Sequence, residues 1–161
     1  MTEWKTAMKA MKVGTGRRVT AGEDVAILTI GHPGNFAQDA IKELKQLGAS
    51  VAHYDIRFVK PLDENLLHEV FSKFDKVITI EDGCLMGGMG SAILEFMVDQ
   101  GYTAKVKRMG IPDEFLHHGT QQELYMDAGF DTESIIKTTI EMLPELKSDL
   151  SDETKQKYSV G

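Results

Sequence analysis

A glycine-rich stretch between an apolar run and a predicted helix is the first place where this sequence could do chemistry. IEDGCLMGGMGSAI covers residues 80–93, with glycine at Gly83, Gly87, Gly88 and Gly90. A strand, a glycine loop and a helix, in that order, are typical of loops that bind phosphate through backbone N–H groups. Phosphate binding is therefore the first hypothesis to test.

The residues of this stretch complete neither of the common phosphate-binding patterns. Gly83 and Gly88 have the spacing of a Walker A loop, but Met89 stands where that loop needs its lysine. In the dinucleotide-binding pattern, Ile93 takes the place of the third glycine. Two acids also precede the loop and would repel a phosphate. The sequence therefore favours packing or an interface, where glycine permits positive φ and close backbone approach.

A charged cluster follows the second predicted strand of the core. It contains Asp55, Arg57, Lys60 and Asp63. The simpler interpretation is an ion pair together with a helix cap at Asp63. The alternative is an interdomain or anion contact, in which the planar guanidinium of Arg57 would meet a carboxylate.

Two further groups give weaker indications of chemistry. His117 and His118 are adjacent, so their side chains would point apart, and no third ligand lies near them in sequence. Cys84 precedes a predicted helix, a position typical of reactive thiols, but no partner histidine is identifiable. A polar loop and a small packing residue are the favoured interpretations.

The composition limits the class of protein and its partners. The chain has 161 residues, enough for one domain, and 42% of them are hydrophobic. Its net charge of −7 argues against a nucleic-acid surface. No apolar run approaches the roughly 20 residues that span a bilayer, and the N-terminus lacks the features of a secretory signal. The single cysteine excludes an internal disulfide, so we expect a cytoplasmic protein.

These candidate residues need strands and helices to position them. Four apolar runs predict strands over residues 24–30, 50–56, 76–80 and 104–111, the last of them an alternating edge strand. Residues 1–22 are expected to form a leader with a possible edge strand, residues 23–143 the domain, and residues 144–161 a frayed charged tail or an added helical turn. The predicted fold is a three-layer α/β/α domain with a mostly parallel, mixed sheet of about five strands.

Helix starts are marked by capping residues. Asn35, with Gln38 three residues later, predicts a capping box for the first helix. Asp63, Thr120 and Asp131 predict three further starts. The helix after the glycine loop is expected to bury Ile93, Leu94, Met97 and Val98. In such a fold, polar loops gather at the carboxyl ends of the strands, where ligands and partners bind.

Four segments together resemble a known family. They are KVGTGRRVTAGEDVAILTIG, DIRFVKPLD, VITIEDGCLMGGMGSAI and MGIPDEFLHHGTQQELYMDAGFD, in that order. They resemble the C-terminal domain of 1-deoxy-D-xylulose-5-phosphate synthases, which are transketolase-like, thiamine-diphosphate-dependent enzymes. The resemblance runs from about residue 12 to residue 143. Part of it is shared with the β subunits of 2-oxoacid dehydrogenases, but IPDEFLHHGTQQEL favours the synthases.

The resemblance implies a function for a longer protein. The complete enzyme condenses pyruvate with glyceraldehyde 3-phosphate, for isoprenoid, thiamine and pyridoxal synthesis, and uses thiamine diphosphate and Mg²⁺. Its cofactor motif, GDG followed by Asn, and its glutamate-bearing middle domain are absent from this sequence. The resemblance therefore implies a fragment or a split subunit, with no catalytic, cofactor-binding or metal-binding residue in this chain.

The implied role is assembly with the remaining domains of the same enzyme and with a second copy in a homodimer. On this hypothesis Gly87, Gly88 and Gly90 remove side chains where the helix end meets another surface. Glu81 and Asp82 would accept hydrogen bonds from neighbouring backbone or from arginine. Two alternatives stay open: the C-terminal domain of a transketolase or of a 2-oxoacid dehydrogenase β subunit, and a free-standing module that binds a small anion.

Overall fold

The computed structural model describes residues 10–160, so residues 1–9 of the predicted leader and the last residue of the predicted tail lie outside it. Its strands are β1 (Arg17–Thr20), β2 (Val25–Ile30), β3 (Val51–Asp55), β4 (Lys76–Cys84) and β5 (Lys105–Ile111). Its helices are α1 (Pro33–Gln46), α2 (Glu64–Lys73), α3 (Met89–Asp99), α4 (Gln121–Asp127), α5 (Thr132–Met142), α6 (Pro144–Asp149) and α7 (Asp152–Lys157). None of the helices in the described part of the chain is long and apolar enough to cross a membrane.

The five strands form one mixed sheet in the order β1-β3-β2-β4-β5. β1 runs antiparallel to β3, with Arg17 opposite Asp55, and the other neighbours are parallel. Ala26, Leu28 and Val77 face one side of the sheet, and Val25, Ile27 and Ile78 face the other. Strands buried on both faces read as continuous apolar runs, which is why the sequence predicts them well.

Helices cover both faces of the sheet and complete the three predicted layers. α1 and α5 pack on one face through an apolar cluster that includes Leu44 and Ile136. α2 and α3 pack on the other face through a cluster that includes Val70 and Ile93. The prediction of a three-layer α/β/α domain with a mostly parallel, mixed sheet is confirmed.

The predicted start of the first helix is wrong. α1 begins at Pro33, and neither Asn35 nor His32 makes a side-chain cap. Proline fits the first helical position because its fixed φ suits the helix and the N–H it lacks would be unpaired there. Gln38 donates from Nε2 to the carbonyl oxygen of Gly34, 3.3 Å away, instead of closing a capping box.

The predicted caps of three later helices are confirmed. Asp63 accepts from the backbone N–H of Leu66 and begins α2. Thr120 forms a complete capping box with Glu123 at α4, and Asp131 caps α5. Each of these caps needs only contacts within one turn, so the local sequence is enough to predict them.

The inward face of α3 differs from the prediction at one position. Val98 is 67% exposed, while Phe96 is buried. Met89, Ile93 and Phe96 follow one another at spacings of four and three and form the buried stripe. The predicted burial of Val98 is therefore wrong.

Residues 144–160 add helices to the domain. Leu150, Tyr158 and Val160 are buried in the same cluster as α1 and α5. Lys157 donates from Nζ to the Glu43 carboxylate on α1, 2.6 Å away, and the Tyr158 hydroxyl donates to the same carboxylate. Of the two states that the sequence left open for this segment, helical structure is the one that forms. The division of the chain at residues 22/23 and 143/144 stays a prediction.

Candidate functional site

The carboxyl ends of the parallel strands bring the candidate residues to one end of the sheet. β2 is followed by His32, β3 by Arg57 and Lys60, and β4 by the glycine loop. β1 is antiparallel, so residues 10–16, which precede it, reach the same end, where Gly14 lies against Pro61. This end of the molecule, called here the carboxyl-end surface, holds every residue that the sequence proposed for an interface.

The glycine loop is closed by a carboxylate of its own chain. Glu81 is 5% exposed, and its two carboxylate oxygens accept from the backbone N–H groups of Met89 and Gly90, at 2.7 and 2.8 Å. These N–H groups belong to the first turn of α3, where they have no partner within the helix and the helix dipole favours an anion. Glu81 therefore occupies the place that a phosphate takes in a phosphate-binding loop.

Gly87 and Gly88 are needed by the turn itself. Gly87 has a φ of +74°, a conformation that L side chains rarely adopt. A Cβ atom on Gly88 would overlap Oε2 of Glu81 and the carbonyl oxygen of Cys84. The internal geometry is thus enough to require glycine at both positions, and an additional role at an interface stays a prediction.

Arg108 holds the outer part of the loop, and the sequence gives no signal for this role. Its Nη1 donates to the Leu85 carbonyl oxygen at 2.6 Å and to Ser91 Oγ at 2.9 Å. Ser91 in turn donates to the Leu85 carbonyl oxygen and accepts from the N–H of Gly87. Arg108 lies on an edge strand whose alternating pattern suggests a solvent-facing charge, so only the fold identifies its partner.

The second charged cluster forms internal contacts. Asp55 pairs with Nε of Arg17 at 3.1 Å and with Nε of Arg57 at 3.5 Å. Asp63 caps α2 with one oxygen and accepts from the N–H of Gly16 with the other, at 2.9 Å. Within residues 10–160, Lys60 is exposed and makes no hydrogen bond or ion pair. The ion pair and the helix cap are both present, and an interdomain role for this cluster stays a prediction.

A buried histidine lies behind this cluster and is a second residue that sequence reasoning missed. His53 Nε2 is 2.8 Å from Thr29 Oγ1, while Nδ1 has no hydrogen-bond partner within the described part of the chain. Burial lowers the pKa of His53 to about 4, against an opposing effect of the Asp55 carboxylate. His53 is therefore neutral at pH 7 and belongs to the core.

Asp82 has a different environment from its neighbour Glu81. It is exposed, and it forms no hydrogen bond or ion pair with any residue from 10 to 160. It lines a cavity whose other walls come from β5, α4, the loop between them and the segment that follows α4. The exposed apolar side chains of Met11, Val13, Met86 and Phe115 belong to segments at this same end of the sheet.

The remaining candidates do not assemble into a reactive centre. His117 and His118 are exposed in the loop before α4, and Cys84 is exposed at the end of β4. No group of three or more His, Cys, Asp or Glu side chains within residues 10–160 has an arrangement that could hold a metal ion. The carboxyl-end surface thus offers exposed apolar groups, an unpaired lysine and an unpaired aspartate, which suit contact with another protein surface.

The fold and the site define a class of protein: three-layer α/β domains whose glycine loop is capped by a carboxylate of the same chain. The chain belongs to the family described as "Transketolase, C-terminal domain", whose family model matches residues 14–135. Its similarity to individual proteins is more specific. It is 55% identical over 138 residues to a 1-deoxy-D-xylulose-5-phosphate synthase of Cytophaga hutchinsonii, which covers 86% of this chain. It is 49% identical over 150 residues to the synthase of Bacteroides thetaiotaomicron, covering 91% of this chain.

The relatives are much longer than the matched region. The chain spans only 22% of the Cytophaga hutchinsonii synthase and 23% of the Bacteroides thetaiotaomicron synthase. Among solved structures, a split-gene transketolase described as an inactive beta4 tetramer matches with a TM-score of 0.77 and 28% identity, over 83% of this chain and 44% of that one. The transketolase of Campylobacter jejuni matches with a TM-score of 0.57 and 13% identity, over 80% of this chain and 18% of that one, which shows the shared fold only.

Proposed function

We propose that this chain is the C-terminal domain of a 1-deoxy-D-xylulose-5-phosphate synthase and that it serves assembly, not catalysis. The complete enzyme would condense pyruvate with glyceraldehyde 3-phosphate, in the cytoplasm and as a homodimer. The observation that carries the proposal is the identity of about half of all aligned residues with synthases over most of this chain. The partners would be the remaining domains of the enzyme and a second copy of it.

The residues that the structure describes do not fit thiamine diphosphate and Mg²⁺. The helix N-terminus that could take a diphosphate is already filled by Glu81, and the glycine loop carries no lysine. The part of the chain that the structure describes also lacks a cluster of metal-ligating side chains. The cofactor would therefore be held by other domains, which agrees with a supporting role for this one.

The carboxyl-end surface is the face that would meet those domains. Four large apolar side chains in segments at this end are exposed in this chain, and exposed apolar surface contributes to protein interfaces. Residues 10–16 also approach this surface. Arg57 and Lys60 would add polar contacts at the rim of the interface.

A domain exchange tests the proposal. The C-terminal domain of the Cytophaga hutchinsonii synthase would be replaced by this chain and compared with the parent and with a truncated enzyme that lacks the domain. We expect the chimera to form a dimer by light scattering and to make product within about tenfold of the parent rate, a loss of about 1.4 kcal/mol. A chimera that assembles no better than the truncated enzyme contradicts the proposal.

Calorimetry on this chain alone separates the proposal from an anion-binding module. Phosphate, nucleotides and thiamine diphosphate with Mg²⁺ would each be titrated into the protein. We expect no binding, because Glu81 holds the N–H groups that an anion would need. Saturable binding of any of these ligands supports the anion-binding alternative.

A further inference from the structure

A small cavity opens on the carboxyl-end surface beside Asp82. Its volume is about 220 Å³, and Ile111, Leu116 and Leu124 are among its apolar walls. Pockets for drug-sized ligands commonly measure about 300 to 1,000 Å³, so this one is suited to a single long side chain. Among the residues that the structure describes, Asp82 is the only charged one that lines it.

The cavity lies between the ends of β4 and β5 and helix α4, next to the point where the sheet directs its helices to opposite faces. α1 follows β2 and packs on one face, and α3 follows the adjacent strand β4 and packs on the other. The connections after these two strands therefore diverge and leave a crevice, which is where ligands bind in open α/β sheets. His32, at the end of β2, stacks on Tyr125, with ring centroids 5.6 Å apart, and Tyr125 lines the cavity.

Among the polar groups that line the cavity, the Asp82 carboxylate has no hydrogen-bond or ion-pair partner within residues 10–160. Gln121 donates from Nε2 to the Tyr125 hydroxyl at 2.6 Å, so these two groups partner each other. Asp82 is exposed in this chain, and a partner that encloses its carboxylate incurs a cost that a positive charge on the occupant offsets.

We propose that the Asp82 cavity receives an arginine side chain from the polypeptide that packs on the carboxyl-end surface. The apolar walls suit the methylene stem, and the carboxylate suits the guanidinium fork, which is more weakly hydrated than an ammonium group and stacks on aromatic rings. The inference rests on the proposed function, because it needs another protein surface at this end. It adds the chemical class of the contact: one guanidinium against Asp82.

The first test uses the 161-residue chain and a small probe. Nα-acetyl-arginine amide would be titrated while backbone amide signals are followed by NMR, with Nα-acetyl-citrulline amide as the uncharged control. We expect saturable shifts confined to Asp82 and the residues around Leu124, absent with citrulline and lost in Asp82→Asn. Asp99→Asn is the matched control, because Asp99 is exposed, forms no hydrogen bond or ion pair with residues 10–160 and ends α3 at the other end of the sheet.

Several outcomes of this titration would overturn the inference. They are an absence of saturable shifts, equal shifts with arginine and citrulline, and arginine shifts that persist in Asp82→Asn. Shifts scattered over the acidic surface would have the same meaning. Tighter binding of Nα-acetyl-lysine amide than of the arginine probe would also contradict the proposal, since the cavity would then select an ammonium group.

The second test places the same substitutions in the chimeric synthase. We expect Asp82→Asn to weaken assembly by about tenfold or more, because it leaves a guanidinium enclosed without its partner, and Asp99→Asn to have no effect. If the chimera is active and Asp82→Asn assembles normally, the cavity inference fails while the proposed function stands. If the unsubstituted chimera fails, the proposed function fails, and the arginine titration still decides whether the cavity binds a guanidinium.

Discussion

Replacing Glu81 with alanine should destabilise this domain severely, because its carboxylate is the only acceptor within residues 10–160 for two buried N–H groups. Met89 and Gly90 are both buried, and each donates to one oxygen of Glu81. A hydrogen bond to a charged group contributes about 1.5 to 3 kcal/mol, so two give about 3 to 6 kcal/mol. Loss of an ordinary N-cap costs about 0.5 to 2 kcal/mol, and this range is the lower limit for the loss of stability expected in Glu81→Ala. We expect the free energy of unfolding of Glu81→Ala to fall by about 3 kcal/mol.

Urea unfolding followed by circular dichroism measures this loss. Glu95→Ala is the matched control, since Glu95 lies on the same helix, is exposed and its side chain forms no hydrogen bond or ion pair with residues 10–160. We expect this control to stay within about 0.5 kcal/mol of the parent. Acetate or phosphate should partly restore Glu81→Ala, because the opened helix N-terminus can then bind a free anion. A loss below about 0.5 kcal/mol for Glu81→Ala would refute the reasoning.

Three further predictions concern the buried histidine, the loop glycines and the C-terminal helices. Burial holds the pKa of His53 at about 4 in the folded state, below its ordinary value of 6.5 in the unfolded chain. The unfolded state therefore binds more protons below pH 6.5, and the free energy of unfolding should fall by about 1 to 1.5 kcal/mol between pH 7.5 and 5.5. This pH dependence should disappear in His53→Gln. Gly88→Ala should lower the free energy of unfolding more than Gly87→Ala, because it adds an overlap that costs about 1 to 3 kcal/mol, whereas Gly87→Ala adds backbone strain only. Removal of residues 144–161 should lower the Tm by roughly 5 to 10 °C, because it uncovers the α1/α5 core cluster.

Each of these three has its own control and contradicting result. For the pH dependence, urea midpoints of the parent and of His53→Gln that change in parallel would show that another group causes the slope. For the glycines, equal thermal shifts would mean that the loop relaxes around the new Cβ atom of Gly88→Ala. For the truncation, an unchanged Tm would mean that the C-terminal helices contribute little to stability. Lys157→Ala is the control, because it removes the ion pair with Glu43 and keeps the buried side chains of these helices.

The close contacts around Gly88 determine which substitutions can test an interface. Substitution of Gly88 by valine in a complete enzyme would disturb Glu81 and Cys84 within this domain, whatever surface lies outside. Loss of assembly would then follow from local unfolding and would say nothing about contact. Asp82 and Lys60 are better positions, because their side chains are exposed and unpaired in the described chain.

Local signals predicted the fold because most elements of this domain are defined within a few residues. The continuous apolar run of β2 and the capping box at Thr120 each need only their immediate neighbours in sequence. The start of α1 was missed for the same reason. Asn35 and Gln38 match a capping pattern locally, but the chain enters the helix at Pro33, directly after the turn that ends β2.

The candidate site depends on contacts that the sequence does not encode locally. Arg108 contacts Leu85 across 23 residues, and His53 contacts Thr29 across 24. No spacing rule links such pairs, and the edge-strand pattern of β5 even suggests that Arg108 faces solvent. The sequence predicts that Glu81 accepts from neighbouring backbone or from an arginine, and in the structure its donors are backbone N–H groups of its own chain.

The carboxylate of Glu81 is attached to the same chain as the helix that it caps, and this has a consequence for how such loops are interpreted. A tethered anion has a very high effective concentration at its site, far above that of any dissolved competitor. Salt and free phosphate should therefore leave the turn unchanged, and the helix end keeps its counter-charge whether or not metabolites are present. A glutamate at the end of the strand thus fills the anion site of a loop that has the composition of a nucleotide-binding loop. Sequence searches for phosphate-binding loops should therefore first check whether the preceding strand ends in an acidic residue.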